Sequence, residues 1–141
     1  MYEFSLEAHL EIYYICIIIE PQDNHIKITD NMEALNRKTA SAALYKEKVI
    51  QFGEGNFLRA FVDWIIWNTN QKTDFNAGVV VVQPIDRGMV DMLNSQDGLY
   101  HVNLQGIDKG EPVDSIQMID VITRGLNPYA EFDRYMALAE N

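Results

Sequence analysis

Val49-Ile-Gln-Phe-Gly-Glu-Gly-Asn-Phe-Leu-Arg-Ala60, with Gly78-Val-Val-Val-Val82 eighteen residues on, is the stretch whose reading decides the fold. Lys48 to Phe52 has the composition of a short β-strand and ends directly at Gly53-Glu54-Gly55. Asn56 can cap a helix at that point, and Phe57 to Thr69 contains neither Gly nor Pro. Four consecutive valines then predict a strand buried on both faces, as in a parallel sheet beneath helices. Strand, glycine turn, helix and strand make a βαβ unit, and a right-handed crossover sets both strands in one parallel sheet.

The chemistry of this unit sits in its turn. Two glycines one residue apart, between a strand and a helix N-terminus, let a pyrophosphate come close to the backbone, where helix-terminal N–H groups favour an anion. Leu58 stands where the strict G-x-G-x-x-G pattern has its third glycine, so helix and strand approach less closely. The same turn is compatible with an S-adenosylmethionine-dependent enzyme, a non-catalytic nucleotide-binding module or an ordinary structural turn. A dinucleotide site usually carries Asp or Glu about 20 residues past the motif to hold the ribose hydroxyls. Here that place belongs to Gln83, followed by Pro84-Ile85-Asp86-Arg87. Gln83 can bond a ribose without repelling a 2'-phosphate, and Arg87 can attract one, so spacing alone leaves NAD and NADP both open.

Outward from the unit, residues 57 to 67 are apolar almost all round, with Arg59 and Asp63 as the exceptions. A helix of that kind is covered on more than one side, which predicts a second domain or a second copy against it. Trp64 and Trp67 are read as packing surface. Thr73 to Gly78 is a polar turn, with Gly78 expected to take a special backbone conformation. Asp86 to Ser95 suggests a short helix closing at Asp97-Gly98. Leu99 to Gln105 and Val113 to Ile122, separated by the turn composition Asp108-Lys-Gly-Glu-Pro112, read as a hairpin or paired strands. Asp114 and Asp120 then fall on a solvent face. Asn127 as N-cap and Pro128 at the first helical position predict a closing helix, which stops where a doubly wound fold would next supply a parallel strand.

The whole chain has 141 residues, with 11 Lys plus Arg against 21 Asp plus Glu and a formal charge of -10. That balance argues against a nucleic-acid partner, because phosphate binding rests on clustered cations. Leu10 to Ile19 is the most apolar run, half the length a membrane-crossing helix needs, and the residues before it lack the basic start of a secretory signal. Residues 1 to 31 are expected to be an appendage ahead of a domain at 32 to 141. A single cysteine, Cys16, excludes an internal disulfide and suits a reducing cytoplasm. His9, His25 and His101 have no metal-ligand spacing.

Val49 to Trp64, Gly78 to Ile85 and Gln96-Asp-Gly-Leu-Tyr100 resemble the N-terminal part of the mannitol dehydrogenase family of polyol and aldonate dehydrogenases. The likeness covers about Met32 to Asn141. The G-E-G-N-F-L-R-A-F version is more specific to the branch acting on tagaturonate than the family's commoner G-x-G-x-F-H-R-A-H. The resemblance implies an α/β, Rossmann-like, doubly wound dinucleotide-binding domain, incomplete in this chain, with the hairpin after its second parallel strand. It further implies NAD-dependent interconversion of D-tagaturonate and D-altronate, with a mannitol- or fructuronate-type dehydrogenase as the related alternative. On it, Ile50, Gln51, Phe52, Gly53, Glu54, Gly55, Asn56, Phe57, Leu58, Arg59 and Ala60 lie along the cofactor. Gly53, Gly55, Asn56 and Phe57 come nearest the pyrophosphate, and Gln83 lies near the adenosine ribose. Other branches carry an acid near that last position. The family's catalytic lysine, asparagine and histidine belong to sequence beyond this chain, beside a helical C-terminal domain. Lys109 and His101 match no such motif, so the chain alone is expected to lack turnover.

Overall fold

The computed structural model describes residues 35–140. The apolar run 10–19 and the expected appendage 1–31 lie outside the described residues. The first strand, β1, is Lys46–Phe52. After the glycine turn the chain enters a π-helical turn, Leu58–Val62, that continues as α1, Asp63–Lys72. Next come β2 (Ala77–Val82), α2 (Val90–Ser95), β3 (Tyr100–Asp108), β4 (Glu111–Ile119), β5 (Ile122–Leu126) and α3 (Phe132–Met136), which ends in a 3-10 turn, Ala137–Glu140.

β1 and β2 pair in parallel, with Val49 opposite Val79 and Phe52 opposite Val82, as the βαβ reading requires. The valine strand is buried along its whole length. Val79 and Val81 pack with Ala60, Ile66, Leu93 and Ile122, whereas Val80 and Val82 face Leu126, Leu138 and Tyr135 on the other side. Side chains alternate across a strand, so this one run feeds two cores, and helices cover both faces. The hairpin is also as expected: β3 and β4 pair antiparallel around Lys109 and Gly110, both with positive φ, the backbone that two-residue hairpin turns favour. Trp64 Nε1 donates to Gln117 Oε1 at 2.8 Å, tying α1 to β4.

The stretch expected as one strand, Val113 to Ile122, is two. It breaks at Asp120-Val121, and β5 leaves the hairpin to pair in parallel with β2, giving the order β1-β2-β5. The break has a visible cause. Asp120 is buried rather than solvent-facing, and its carboxylate accepts the Ala43 N–H at 2.8 Å. Arg37 Nη2 donates to the carbonyls of Asp120 and Ile122, both at 2.8 Å, so this backbone is occupied by the incoming chain. Asp114 is exposed.

Three further expectations shift. Gly78 lies inside β2, and the positive φ belongs to Asn76; a Cβ on Gly78 would stand 2.5 Å from Thr123 Cγ2, so close packing is its reason. Residues 86 to 89 are a loop, so α2 begins only at Val90. Asn127 caps no helix: its Oδ1 accepts from Tyr129 N and its carbonyl from Ala130 and Glu131 N, closing a separate turn before α3. The helix read over 57–67 presents Phe57, Phe61 and Ile65 to solvent, with Ala60 and Ile66 inward. The sheet side is therefore covered as expected, and a stripe remains open. Among the described residues, no helix is long and apolar enough to cross a membrane.

Candidate functional site: the glycine turn

Gly53 N–H donates to Val82 O at 2.9 Å, fixing the turn to the C-terminal end of β2. Gly53 has φ +119°, and a Cβ there would lie 3.0 Å from Leu58 Cδ1. It is glycine because the fold requires it. Gly55 differs: a Cβ there would meet nothing within 4 Å. No packing demand explains its missing side chain, and the open space beside its backbone is what a close-approaching ligand needs. The first helical bond runs from Arg59 N to Gly55 O at 3.1 Å. The amides of Asn56, Phe57 and Leu58 precede it and have no carbonyl within the helix to bond.

Beneath the turn lies a polar network. Arg59 is buried; its Nε donates to Glu54 O at 2.9 Å and its Nη2 to Asn56 Oδ1 at 2.6 Å, so the guanidinium holds the turn from inside. It also stands 5.5 Å from the Tyr100 ring centre. In the π-helical turn Asp63 N–H reaches back to Leu58 O, a bond one residue longer than in an α-helix. Arg59, Ala60 and Asp63 all face inward along this segment.

Asp63 is 0% exposed. The Tyr100 hydroxyl oxygen lies 2.8 Å from Arg59 O and 3.1 Å from Asp63 Oδ2. A hydroxyl has one proton, so it donates to only one of these acceptors at a time. Asp63 Oδ1 and Gln51 Oε1 are buried without a partner, so with Asp63 ionised the network holds more acceptors than donors. A proton on Asp63 supplies the missing donor. Consistently, burial pushes the Asp63 carboxyl up to about 7, against the opposing pull of the Tyr100 hydrogen bond and the Arg59 charge. Burial first, and Asp63 second, push the Tyr100 hydroxyl far up as well, so it stays protonated.

The expected site residues divide by direction. Ile50 and Phe52 are exposed on the α3 side and line a groove of about 220 Å³ with Tyr135, Met136, Leu138 and Ala139. Gln51 is buried on the helix side, where its Nε2 donates to Gly53 O at 3.1 Å. Gly53, Glu54, Arg59 and Ala60 are buried, and Leu58 is half-buried against Gly53. Gly55, Asn56 and Phe57 form the open rim. Gln83 is 4% exposed and engaged: its Nε2 donates to Ile85 O at 2.7 Å and Asp86 O at 3.2 Å, and its Oε1 accepts Val90 N–H at 3.3 Å. Sequence reading missed Asp63 and Tyr100. The available signal was an acid inside an otherwise apolar helix.

Comparison with known proteins agrees with the fold. The model of the mannitol dehydrogenase Rossmann domain matches residues 47–140. The chain is 72% identical over 109 residues to an altronate oxidoreductase of Bacteroides thetaiotaomicron and 68% identical over 109 residues to one of Phocaeicola vulgatus. Each match takes in 77% of this chain and 23% of the relative, so the chain spans about a quarter of the length of these curated relatives. Among solved structures, Pseudomonas fluorescens mannitol 2-dehydrogenase, in ternary complex with NAD and D-mannitol, superposes with a TM-score of 0.63 at 17% identity, over 77% of this chain and 25% of that one. A substrate-free D-sorbitol dehydrogenase gives a TM-score of 0.55 at 16% identity, over 72% of this chain and 23% of that one. The family model covers well over half of the chain, from the first strand through the glycine turn to the closing helix: the protein belongs to the mannitol dehydrogenase family.

Proposed function

We propose that this chain is the NAD-binding portion of a cytoplasmic oxidoreductase that interconverts D-tagaturonate and D-altronate by hydride transfer. The observation that carries the reading is the open face of Gly55 above a turn whose other residues are locked by the fold. On this reading Gly55, Asn56 and Phe57 touch the pyrophosphate through backbone amides. Ile50, Gln51, Phe52, Gly53, Glu54, Leu58, Arg59 and Ala60 hold the turn that presents them, and Gln83 holds the loop beyond β2 where the adenosine ribose sits. Bound NAD supplies the hydride chemistry; this chain's residues bind and orient it. The altronate oxidoreductase names of the similar curated proteins support the substrate assignment. The exposed stripe Phe57, Phe61 and Ile65 is proposed to pack against a further domain, for which the relatives' greater length leaves room.

Titration of the purified chain with NADH, NADPH, S-adenosylmethionine and AMP, read by energy transfer from Trp64 and Trp67, tests this. Saturable NADH binding, with no binding of S-adenosylmethionine, is expected. A folded chain that binds no dinucleotide would overturn the reading.

A further inference from the structure

We propose that Glu54 sets this chain's preference for the unphosphorylated dinucleotide, its charge being delivered from the glycine turn rather than from the end of β2. The inference rests on the cofactor reading above. The usual discriminator is an acid at the end of the second strand, which bonds the ribose hydroxyls and repels a 2'-phosphate. Here that position is Gln83, uncharged, with both ends of its carboxamide engaged by residues 85, 86 and 90. A carboxylate nevertheless stands beside it. Glu54 is 7% exposed, and its Oε1 accepts Met89 N–H at 3.2 Å across the gap between the glycine turn and the loop after β2.

Gly88 makes this approach possible. A Cβ there would lie 2.1 Å from Glu54 Oε1 and 2.5 Å from the Gln83 Cδ and Oε1 atoms, so the two side chains meet over a residue that has none. Glu54 Oε2 is buried and has no partner, an acceptor suited to a hydroxyl donor. Among the described residues Glu54 forms no ion pair. Arg59, the cation beneath it, is turned to the Glu54 carbonyl, to Asn56 Oδ1 and to Met89 Sδ. The Glu54 charge is therefore left to act on what enters beside the loop after β2, next to Gln83 and Gly88. Asp86 and Arg87, both exposed, are the other charged groups of the loop.

The test is the ratio of NADPH to NADH dissociation constants on the full chain. Wild type favours NADH; Glu54→Gln keeps the acceptor for Met89 N–H and removes the charge, and should shift the ratio of the two dissociation constants about tenfold towards NADPH. Glu54→Asp should retain the preference, and neither variant should move the thermal midpoint by more than about 2 °C. An unmoved ratio in folded Glu54→Gln, or a shift in Asp86→Asn instead, overturns the proposal. Should Glu54→Gln fail to fold, Glu54→Ala decides: it removes the charge without placing an amide against Met89 N–H, the ratio should shift towards NADPH as in Glu54→Gln, and an unmoved ratio overturns the proposal. Wild type that binds neither dinucleotide overturns the cofactor reading and this inference together; NADH binding with an unmoved ratio overturns only this one.

Discussion

The underside of the glycine turn and its rim are built from neighbouring residues and do opposite work. Gln51, Arg59, Asp63 and Tyr100 form a buried polar network below. Gly55, Asn56 and Phe57 stand in solvent above, Phe57 at 65% exposure and stacked on Phe61 with ring centres 5.2 Å apart. The lower region bonds the turn from inside and buries a carboxyl to do so, with Asp63 Oδ1 and Gln51 Oε1 left unpartnered; the upper one leaves backbone amides unsatisfied. A turn that must offer free amides cannot hold itself together through them, so side-chain bonds from Arg59 and Gln51 do the holding. The division yields separable effects: damage below should read out as stability, damage above as binding.

The largest expected effect comes from below. Asp63 has an ordinary value of 3.8 and sits at about 7 in the folded chain, so the folded state binds a proton more tightly than the unfolded one. Its contribution therefore falls as pH rises from about 4 and levels off above about 7, a total loss of about 4 kcal/mol. Asp63→Asn removes this dependence. Urea unfolding at several pH values should show wild type losing stability relative to Asp63→Asn between pH 4 and 7. A difference that stays flat over that range would place Asp63 in solvent contact and dissolve the contrast.

The two glycines give the next test, because they sit two residues apart on the two sides of the divide. Gly53→Ala forces a side chain into φ +119° against Leu58 and should cost about 1 to 3 kcal/mol of stability. Gly55→Ala points its methyl into open space and should leave the thermal midpoint within about 2 °C, while weakening NADH binding about tenfold. Equal losses of stability in both variants would show that the rim is packed and not open.

How far this arrangement can be read from residues alone follows from which interactions are local. The βαβ unit is legible because four valines and two glycines act on their own neighbourhood. The hairpin is legible because Lys109-Gly110 closes it in two residues. β5 is not, since the apolar alternation runs unbroken through Asp120, and the break depends on Arg37 and Ala43 arriving from about 80 residues earlier. The motif 50–60 is legible as a segment but not as a surface. Which of its side chains turn inward depends on a π-helical turn and on Tyr100, 41 residues beyond Arg59. Gln83 shows the same limit: its position is that of a ribose ligand, and its bonds are those of a loop clamp.

The smallest expected effect concerns a charge pair at the other end of β1, and its sign is opposite to that of Asp63. Arg124 donates from Nε to Glu47 Oε1 at 2.8 Å and from Nη2 to Glu47 Oε2 at 2.9 Å, and Thr123 Oγ1 adds a third contact at 3.2 Å. The Arg124 hydrogen bonds, opposed by partial burial, hold the Glu47 carboxyl below its usual range. The pair thus contributes above the unfolded carboxylate range and is lost as pH falls through the folded value. Both side chains are about a third exposed, so water and salt screen the pair, and Glu47→Gln should cost no more than about 1 kcal/mol near pH 7. Below pH 4 wild type and variant should converge, whereas the Asp63→Asn comparison shows its largest relative benefit to wild type there. Two carboxyls of one small sheet domain then respond to the same titration in opposite directions, because one is bonded as an anion at the surface and the other is held as an acid beneath the turn.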